Sequence, residues 1–180
     1  ALGNTLLSVS VGFLAAYSIV RFKTGGKNFA FWLLSNRFLP PVVFVVPLFL
    51  LFRSLRLFDT HISLVLAYCT FNVPLAVWLL MAFIQTIPED LEEAAMIDGC
   101  TRFSAFLRVT VPLAAPGVVT TILFCFLFAW NEYTLAFMLT GEKVNTLTVL
   151  IPRYQGGHDI LYEAIAAASV LSVIPGVLFA

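Results

Sequence analysis

From Ile62 to Ile84 the chain carries no charged side chain, a stretch longer than the ~20 residues a helix needs to cross a bilayer core. Runs of the same kind recur at about Leu2–Val20, Phe31–Phe52, Ala114–Leu139 and from Ala164 onward. Inside hydrocarbon every backbone N–H and C=O must be satisfied by the segment itself, so such runs are held to helices. The charged fraction agrees: it is 11%, against roughly 25% in a soluble domain. The expected fold class is an all-α membrane protein, a bundle of about five transmembrane helices in one domain spanning residues 1–180. The second run is interrupted by Asn36 and Arg37 and bent by Pro40, Pro41 and Pro47, which reads as a kinked span rather than a gate.

Charge position says more than charge sum. Ten basic and ten acidic residues cancel, which leaves no electrostatic case for nucleic acid as a partner. If the first run exits to the cytoplasm, that side collects Arg21, Lys23, Lys27, Arg37, Arg102 and Arg108, against Arg53, Arg56, Lys143 and Arg153 outside. This bias places the segment after Ile84 on the cytoplasmic face. Cys69, Cys100 and Cys125 have no paired spacing, and with His61 and His158 in loops no metal cluster is expected. "TGGKN" at Thr24–Asn28 lacks the first glycine and the hydroxyl residue of a phosphate-binding loop, and reads as a basic turn. The chain shows no signal peptide and is expected to be an interior piece of a longer subunit, incomplete at both ends.

Five carboxylates fall between Glu89 and Asp98, an unusual density for so apolar a chain. Thr86 and Glu89 fit a capping box, and the acids suit the positive end of a helix dipole. Leu91, Ala94, Ala95 and Asp98 share a face, and Gly99 supplies a left-handed stop. Thr101 then caps a second short helix with a stripe of Phe103, Phe106 and Leu107, and Pro112 and Pro116 reset the chain before the next span. The product is a helix, turn and helix outside the bilayer. It is either a solvated connector or a docking element; small residues on one face and a glycine between two capped helices favour docking.

"EAAMIDG" at Glu93–Gly99, followed by "VTVP" at Val109–Pro112, resembles the EAA motif of type I ABC importer permeases. Val109 and Val111 replace the Ile and Leu of the pattern. "NTLLSVSVGFLAAYSIVRF", "FAWNEY" and "AAASV" extend the likeness over nearly the whole chain, toward the carbohydrate branch related to the maltose system. The resemblance implies that region 86–112 is a cytoplasmic coupling helix seated on a separate ATP-binding subunit. It implies an ATPase interface of Glu92, Glu93, Ala94, Ala95, Ile97, Asp98, Gly99, Arg102 and Phe103, with Glu93 facing basic groups and Ala94 and Ala95 permitting close packing. It also implies that ATP and Mg belong to that partner, that this chain holds no cofactor of its own, and that a second permease subunit completes the pore. The implied location is a bacterial or archaeal inner membrane.

Trp130, Asn131, Glu132 and Tyr133 offer an aromatic plate beside donors and acceptors within the fourth run, which suits a polyhydroxylated solute. A charge at the centre of a membrane helix costs about 2.5–3.5 kcal/mol, so Glu132 should face protein or water. Two roles fit these residues: lining a substrate path, or an aromatic belt with Asn131 and Glu132 bonded to a neighbouring helix. Tyr68, Asn72 and Gln85 are further polar positions in the third run. Gln155, Gly156 and Gly157 occupy the longest external loop; they read as a surface turn or, by the resemblance, as a contact for an extracytoplasmic solute-binding protein. The expected function is a sugar or polyol permease subunit rather than an enzyme. The alternatives are an ATP-independent transporter or channel, which calls for ion-coupling groups or an inverted repeat, and a membrane hydrolase, for which Glu132 has no partner in sequence.

Overall fold

A computed structural model describes residues 1–26, 28–153 and 162–179. Its order is α1 (Leu2–Phe22), α2 (Phe29–Ser35) running into a 3-10 turn (Asn36–Phe38), α3 (Pro41–Ser54), α4 (His61–Gln85) and α5 (Glu89–Ile97). Then follow α6 (Arg102–Ala105), a π-helical turn (Phe106–Thr110), α7 (Val111–Leu113), α8 (Ala115–Asn131), α9 (Thr134–Leu139), α10 (Leu147–Arg153) and α11 (Tyr162–Phe179). Among the described residues two helices, α1 and α4, are long and apolar enough to cross a membrane, or up to four crossings exist if each bent pair is one span. His61, expected in a loop, instead opens α4.

The centre of the bundle is a close pairing of α1 with α4. The two run in the same direction: Asn4 lies beside Val65 and Cys69, Gly12 beside Ala76, and Arg21 beside Ile87. Small residues let the backbones approach, the usual device where no hydrophobic effect drives helices together. A Cβ on Gly12 would stand 2.6 Å from the Ala76 Cβ, while Ala16, Ala76 and Leu80 are fully buried around it. Helix α8 packs antiparallel across this pair, with Gly117 against Phe83 at one end and Cys125 against Asn72 at the other. Buried amides fasten the three helices: Asn72 Nδ2 donates to Asn4 Oδ1 at 2.6 Å and to the Cys125 carbonyl at 2.9 Å, and Asn4 Nδ2 donates to the Val65 carbonyl at 3.0 Å. Asn72 thus joins helices. Helix α11 is pinned by Trp130, whose indole donates to the Ser172 carbonyl at 2.8 Å.

Two of the expected spans are not single helices. The Phe31–Phe52 run breaks at Leu39 and Pro40, both extended, and its two parts bend by 93°. Proline forces its predecessor out of the helical region, and Pro41 then starts α3 with its missing N–H at no cost. Arg37 also departs from its expected place on the cytoplasmic side. It lies beside the middle of α4, donating to the Phe71 carbonyl at 3.2 Å and stacking over the Phe128 ring at 4.2 Å. Phe71 lies three residues before Pro74 of α4, and its carbonyl faces the guanidinium. The Ala114–Leu139 run likewise ends as a helix at Asn131, because Glu132 is extended, and α9 forms separately against α3 and α4.

The end of the bundle away from Ile87 is tied by Asp59, a left-handed residue at φ 59. Its carboxylate accepts the amides of Gly141 (2.8 Å), Glu142 (3.1 Å), Lys143 (3.0 Å) and Val144 (3.0 Å). Those bonds, from Lys143 and Gly141 first, hold its carboxyl below the usual aspartate range. A Cβ on Gly141 would stand 2.9 Å from Asp59 Oδ2, so a larger residue there requires the carboxylate to shift.

Gly12→Leu should therefore force α1 off α4 and cost about 1–3 kcal/mol or more by overpacking. A fall in detergent thermal unfolding temperature, with Gly3→Leu nearly neutral at its roomier site, checks this.

Candidate functional site

The acidic stretch forms the expected elbow, with local details that differ. Helix α5 starts behind Pro88 with no side-chain cap, since Thr86 closes α4 instead and donates to the Phe83 carbonyl at 2.7 Å. The capping box does not form. Glu89, Asp90 and Glu92 in the first turn still meet the helix dipole favourably. The far end closes as a Schellman motif: Cys100 N–H bonds the Ala95 carbonyl at 3.0 Å and Gly99 N–H the Met96 carbonyl at 3.1 Å, with Gly99 at φ +90. Thr101 caps α6 as expected, accepting the Ser104 amide at 3.3 Å.

The buried face of α5 is led by a carboxylate. Glu92, expected to share the exposed face with Glu93, is turned inward and is 6% exposed. Its Oε2 accepts the Tyr17 hydroxyl at 2.7 Å; its Oε1 accepts Arg21 Nε at 2.8 Å and the Thr110 hydroxyl at 2.8 Å. Arg21 also donates to the Ile87 carbonyl at 2.9 Å. One side chain thus binds the end of α1, the elbow helix and the π-helical turn. Burial alone would raise the Glu92 pKa, but these bonds and the Arg21 charge hold the carboxyl below its ordinary value. The π turn makes the geometry possible: Val111 N–H reaches back to the Phe106 carbonyl, and the wider turn buries both Phe106 and Thr110. Phe106 packs on Tyr17 at 4.6 Å and on Phe13 at 5.4 Å.

The opposite surface of the elbow is open. Glu93, Ala94, Asp98 and Gly99 are exposed, Ala95 is half-buried, and Ile97 and Phe103 are 86% and 67% exposed. Of the anticipated apolar stripe on the second helix only Phe106 is covered. Arg102 is also exposed, with its guanidinium 5.2 Å from the Phe22 ring. These eight residues form one surface at the turn, and Glu92 stands behind it.

The four polar and aromatic residues of the fourth run are dispersed rather than gathered. Trp130 lines a cavity of about 690 Å³ with Asn4, His61 and Tyr68. Asn131 and Tyr133 are exposed, and Asn131 donates back to the Leu127 carbonyl at 2.8 Å. Glu132 caps α9, accepting the amides of Leu135 at 3.0 Å and Ala136 at 3.1 Å. It also lines a second cavity of about 260 Å³ with Arg37, Tyr68, Phe71, Asn72 and Phe128. Tyr68 and Asn72 are two of the further polar positions of the third run, whereas Arg37 reads in sequence only as a charge between spans, because spacing cannot bring it from another helix. Gln155, Gly156 and Gly157 lie outside the described residues. Among the described residues no group of His, Cys, Asp or Glu could hold a metal ion.

The described residues form a helical body whose protruding elbow is fastened to the end of α1 by Glu92 and Arg21. The chain belongs to the family described as binding-protein-dependent transport system inner membrane component, which matches residues 8–180. It is thus a permease of the type I ABC importer fold. It is 42% identical over 181 residues to the trehalose transport system permease protein SugB of Mycobacterium tuberculosis, covering 98% of this chain and 66% of the relative. It is 38% identical over 177 residues to the sulfoquinovosyl glycerol transport system permease protein SmoH of Agrobacterium fabrum, covering 97% and 62%. It is 35% identical over 179 residues to the trehalose/maltose transport system permease protein MalG of Thermococcus litoralis, covering 98% and 64%. The chain thus spans somewhat under two thirds of the length of these curated relatives.

Removing one partner of a buried ion pair leaves the other uncompensated, so Glu92→Ala should cost about 3–5 kcal/mol locally. Faster amide exchange over residues 89–110, with α4 unchanged, checks this. Because the folded Glu92 pKa is depressed, its contribution is fully present above the ordinary glutamate value of 4.5 and is lost as pH falls through the lower folded value. Elbow protection should hold from neutral pH to about that value and fail below it, and Glu92→Gln should remove the transition.

Proposed function

We propose that this chain is the membrane permease subunit of an ATP-driven importer and forms half of the translocation path for a sugar, polyol or similar solute. In this reading the elbow seats in a groove of a cytoplasmic ATP-binding subunit, which holds ATP and Mg. A second permease subunit completes the pore, and an extracytoplasmic solute-binding protein delivers the solute, touching the loop at Gln155, Gly156 and Gly157. The setting is the inner membrane of a bacterium or archaeon, with five crossings: α1, the broken α2–α3 pair, α4, the α8 span and α11.

One observation carries the reading. The elbow exposes Ile97, Phe103, Ala94 and Glu93 on one side while Glu92 and Arg21 fix its other side to α1. Exposed apolar side chains rimmed by charge mark a protein contact rather than a solvated link. A buried, fully bonded carboxylate makes that contact rigid enough to transmit displacement. Orientation agrees weakly: with Arg37 at mid-depth, the elbow side keeps five basic residues against four. The solute class follows from relatives whose names specify trehalose, trehalose and maltose, and sulfoquinovosyl glycerol.

A Cβ at Gly99 would meet nothing within 4 Å, so this chain itself has room for a larger residue there. The φ of +90 adds about 1–3 kcal/mol of strain, which Ile97→Glu avoids entirely. Both Gly99→Trp and Ile97→Glu should insert normally yet lose ATP-dependent uptake and the co-purifying ATPase. Normal ATPase recovery and uptake in both variants would refute the docking role.

A further inference from the structure

At the end of the bundle away from the elbow, one carboxylate shapes a whole segment. Residues 141–144 belong to no helix, so their four consecutive amides need acceptors from elsewhere. Asp59 supplies both: Oδ1 takes Gly141 and Val144, and Oδ2 takes Glu142 and Lys143. The clasp is reciprocal, because the Asp59 amide donates to the Leu139 carbonyl at 3.1 Å. Aspartate is also one of the few residues besides glycine that suit the left-handed backbone at this position.

The clasped segment works on two sides. Val144 turns inward, 5% exposed, into the cluster of Leu139 and Val149, while Glu142 and Lys143 stand in solvent. From Val144 to Leu147 the strap then lines the cavity of about 690 Å³, together with Tyr68 and Trp130. One stretch of irregular backbone is thus shared between the exposed rim and the larger cavity, and a side chain from the α3–α4 connection sets its shape. A contact surface ordered before its partner arrives binds more tightly, since no ordering is left to be done on contact.

Building on the permease reading, which makes this the outer end, we propose that Asp59 is a positioning residue for uptake: it holds the 141–147 strap in the shape that the loaded solute-binding protein meets. Asp59 acts through the strap and touches neither solute nor binding protein. A released strap visits the required shape only part of the time, which weakens the apparent affinity by the lost fraction. Saturating binding protein draws the strap back into place, so the effect falls on KM for the binding protein and spares kcat.

Two variants reach the clasp from opposite sides. Asp59→Asn keeps an oxygen for one pair of amides and sets an NH2 group against the other pair, donor facing donor, on a left-handed backbone that asparagine also suits. Gly141→Ala leaves Asp59 in place and crowds it with a Cβ 2.9 Å from Oδ2. The complete transporter, with full-length permease subunits and ATPase, is reconstituted in proteoliposomes, and ATP-dependent uptake of radiolabelled trehalose and maltose is titrated with the solute-binding protein. Amide exchange at residues 141–144 is followed in the same preparations. The expected result in both variants is faster exchange at 141–144 with α1 and α4 unchanged, and a KM for the binding protein raised about 3- to 10-fold with kcat within about two-fold of wild type. Unchanged exchange, a wild-type KM, or a fall in kcat without a rise in KM overturns the positioning role and leaves the permease reading standing. Failure of wild type to import either sugar with ATP and binding protein overturns the solute class and this role together.

Discussion

A single buried carboxylate organises the elbow end of this molecule. Glu92 gathers Tyr17 and Arg21 from α1 and Thr110 from the π-helical turn, so three segments distant in sequence converge on two oxygen atoms. An unpaired carboxylate there would be untenable, and an unpaired Arg21 equally so. Each therefore requires the other. The same arrangement explains why so polar a segment can press against a greasy bundle: its acids divide between one that is fully bonded inside and others that remain in solvent.

Rigidity continues outward through α1 and α4. Their parallel pairing depends on Gly12 and Ala76 touching and on the Asn4–Asn72–Cys125 hydrogen bonds. Force applied to the elbow thus enters α1 through Arg21 and meets α4 along most of its length. Within the two broken runs, the irregular backbone at Leu39–Pro40 and at Glu132 borders a cavity, where freed backbone groups are tolerated.

Apolar periodicity and the glycine stop at Gly99 made the main helices and the elbow legible in the sequence, and the Thr101 cap formed where expected. Propositions about single side chains fared less well. The inward turn of Glu92 depends on a π-helical turn that leaves no mark in the residue pattern, and on an arginine that reads, by itself, as an orientation signal. Arg37 looks like a residue between spans until the proline break carries it to mid-depth. Glu132 was expected to need a partner, and it found one in the amides at the start of α9. Tertiary geometry decided the places of Glu92 and Arg37, which spacing along one helix cannot encode, whereas the Glu132 cap is local, three and four residues from its donors.

Asp59 has a mechanical corollary. By taking four amides from Gly141 to Val144, it fuses the α3–α4 connection to the segment after α9, and α3 itself packs on α9. The outer end is thereby a single cap. Besides α4, it joins the rest of the described bundle through the bend before Pro41 and the extended residue at Glu132, and both border the small charged cavity. Those two breaks leave the cavity wall at Leu39, Pro41 and Glu132 continuous with the cap, so a change at the Asp59 knot would reach the chamber through backbone as well as through α4.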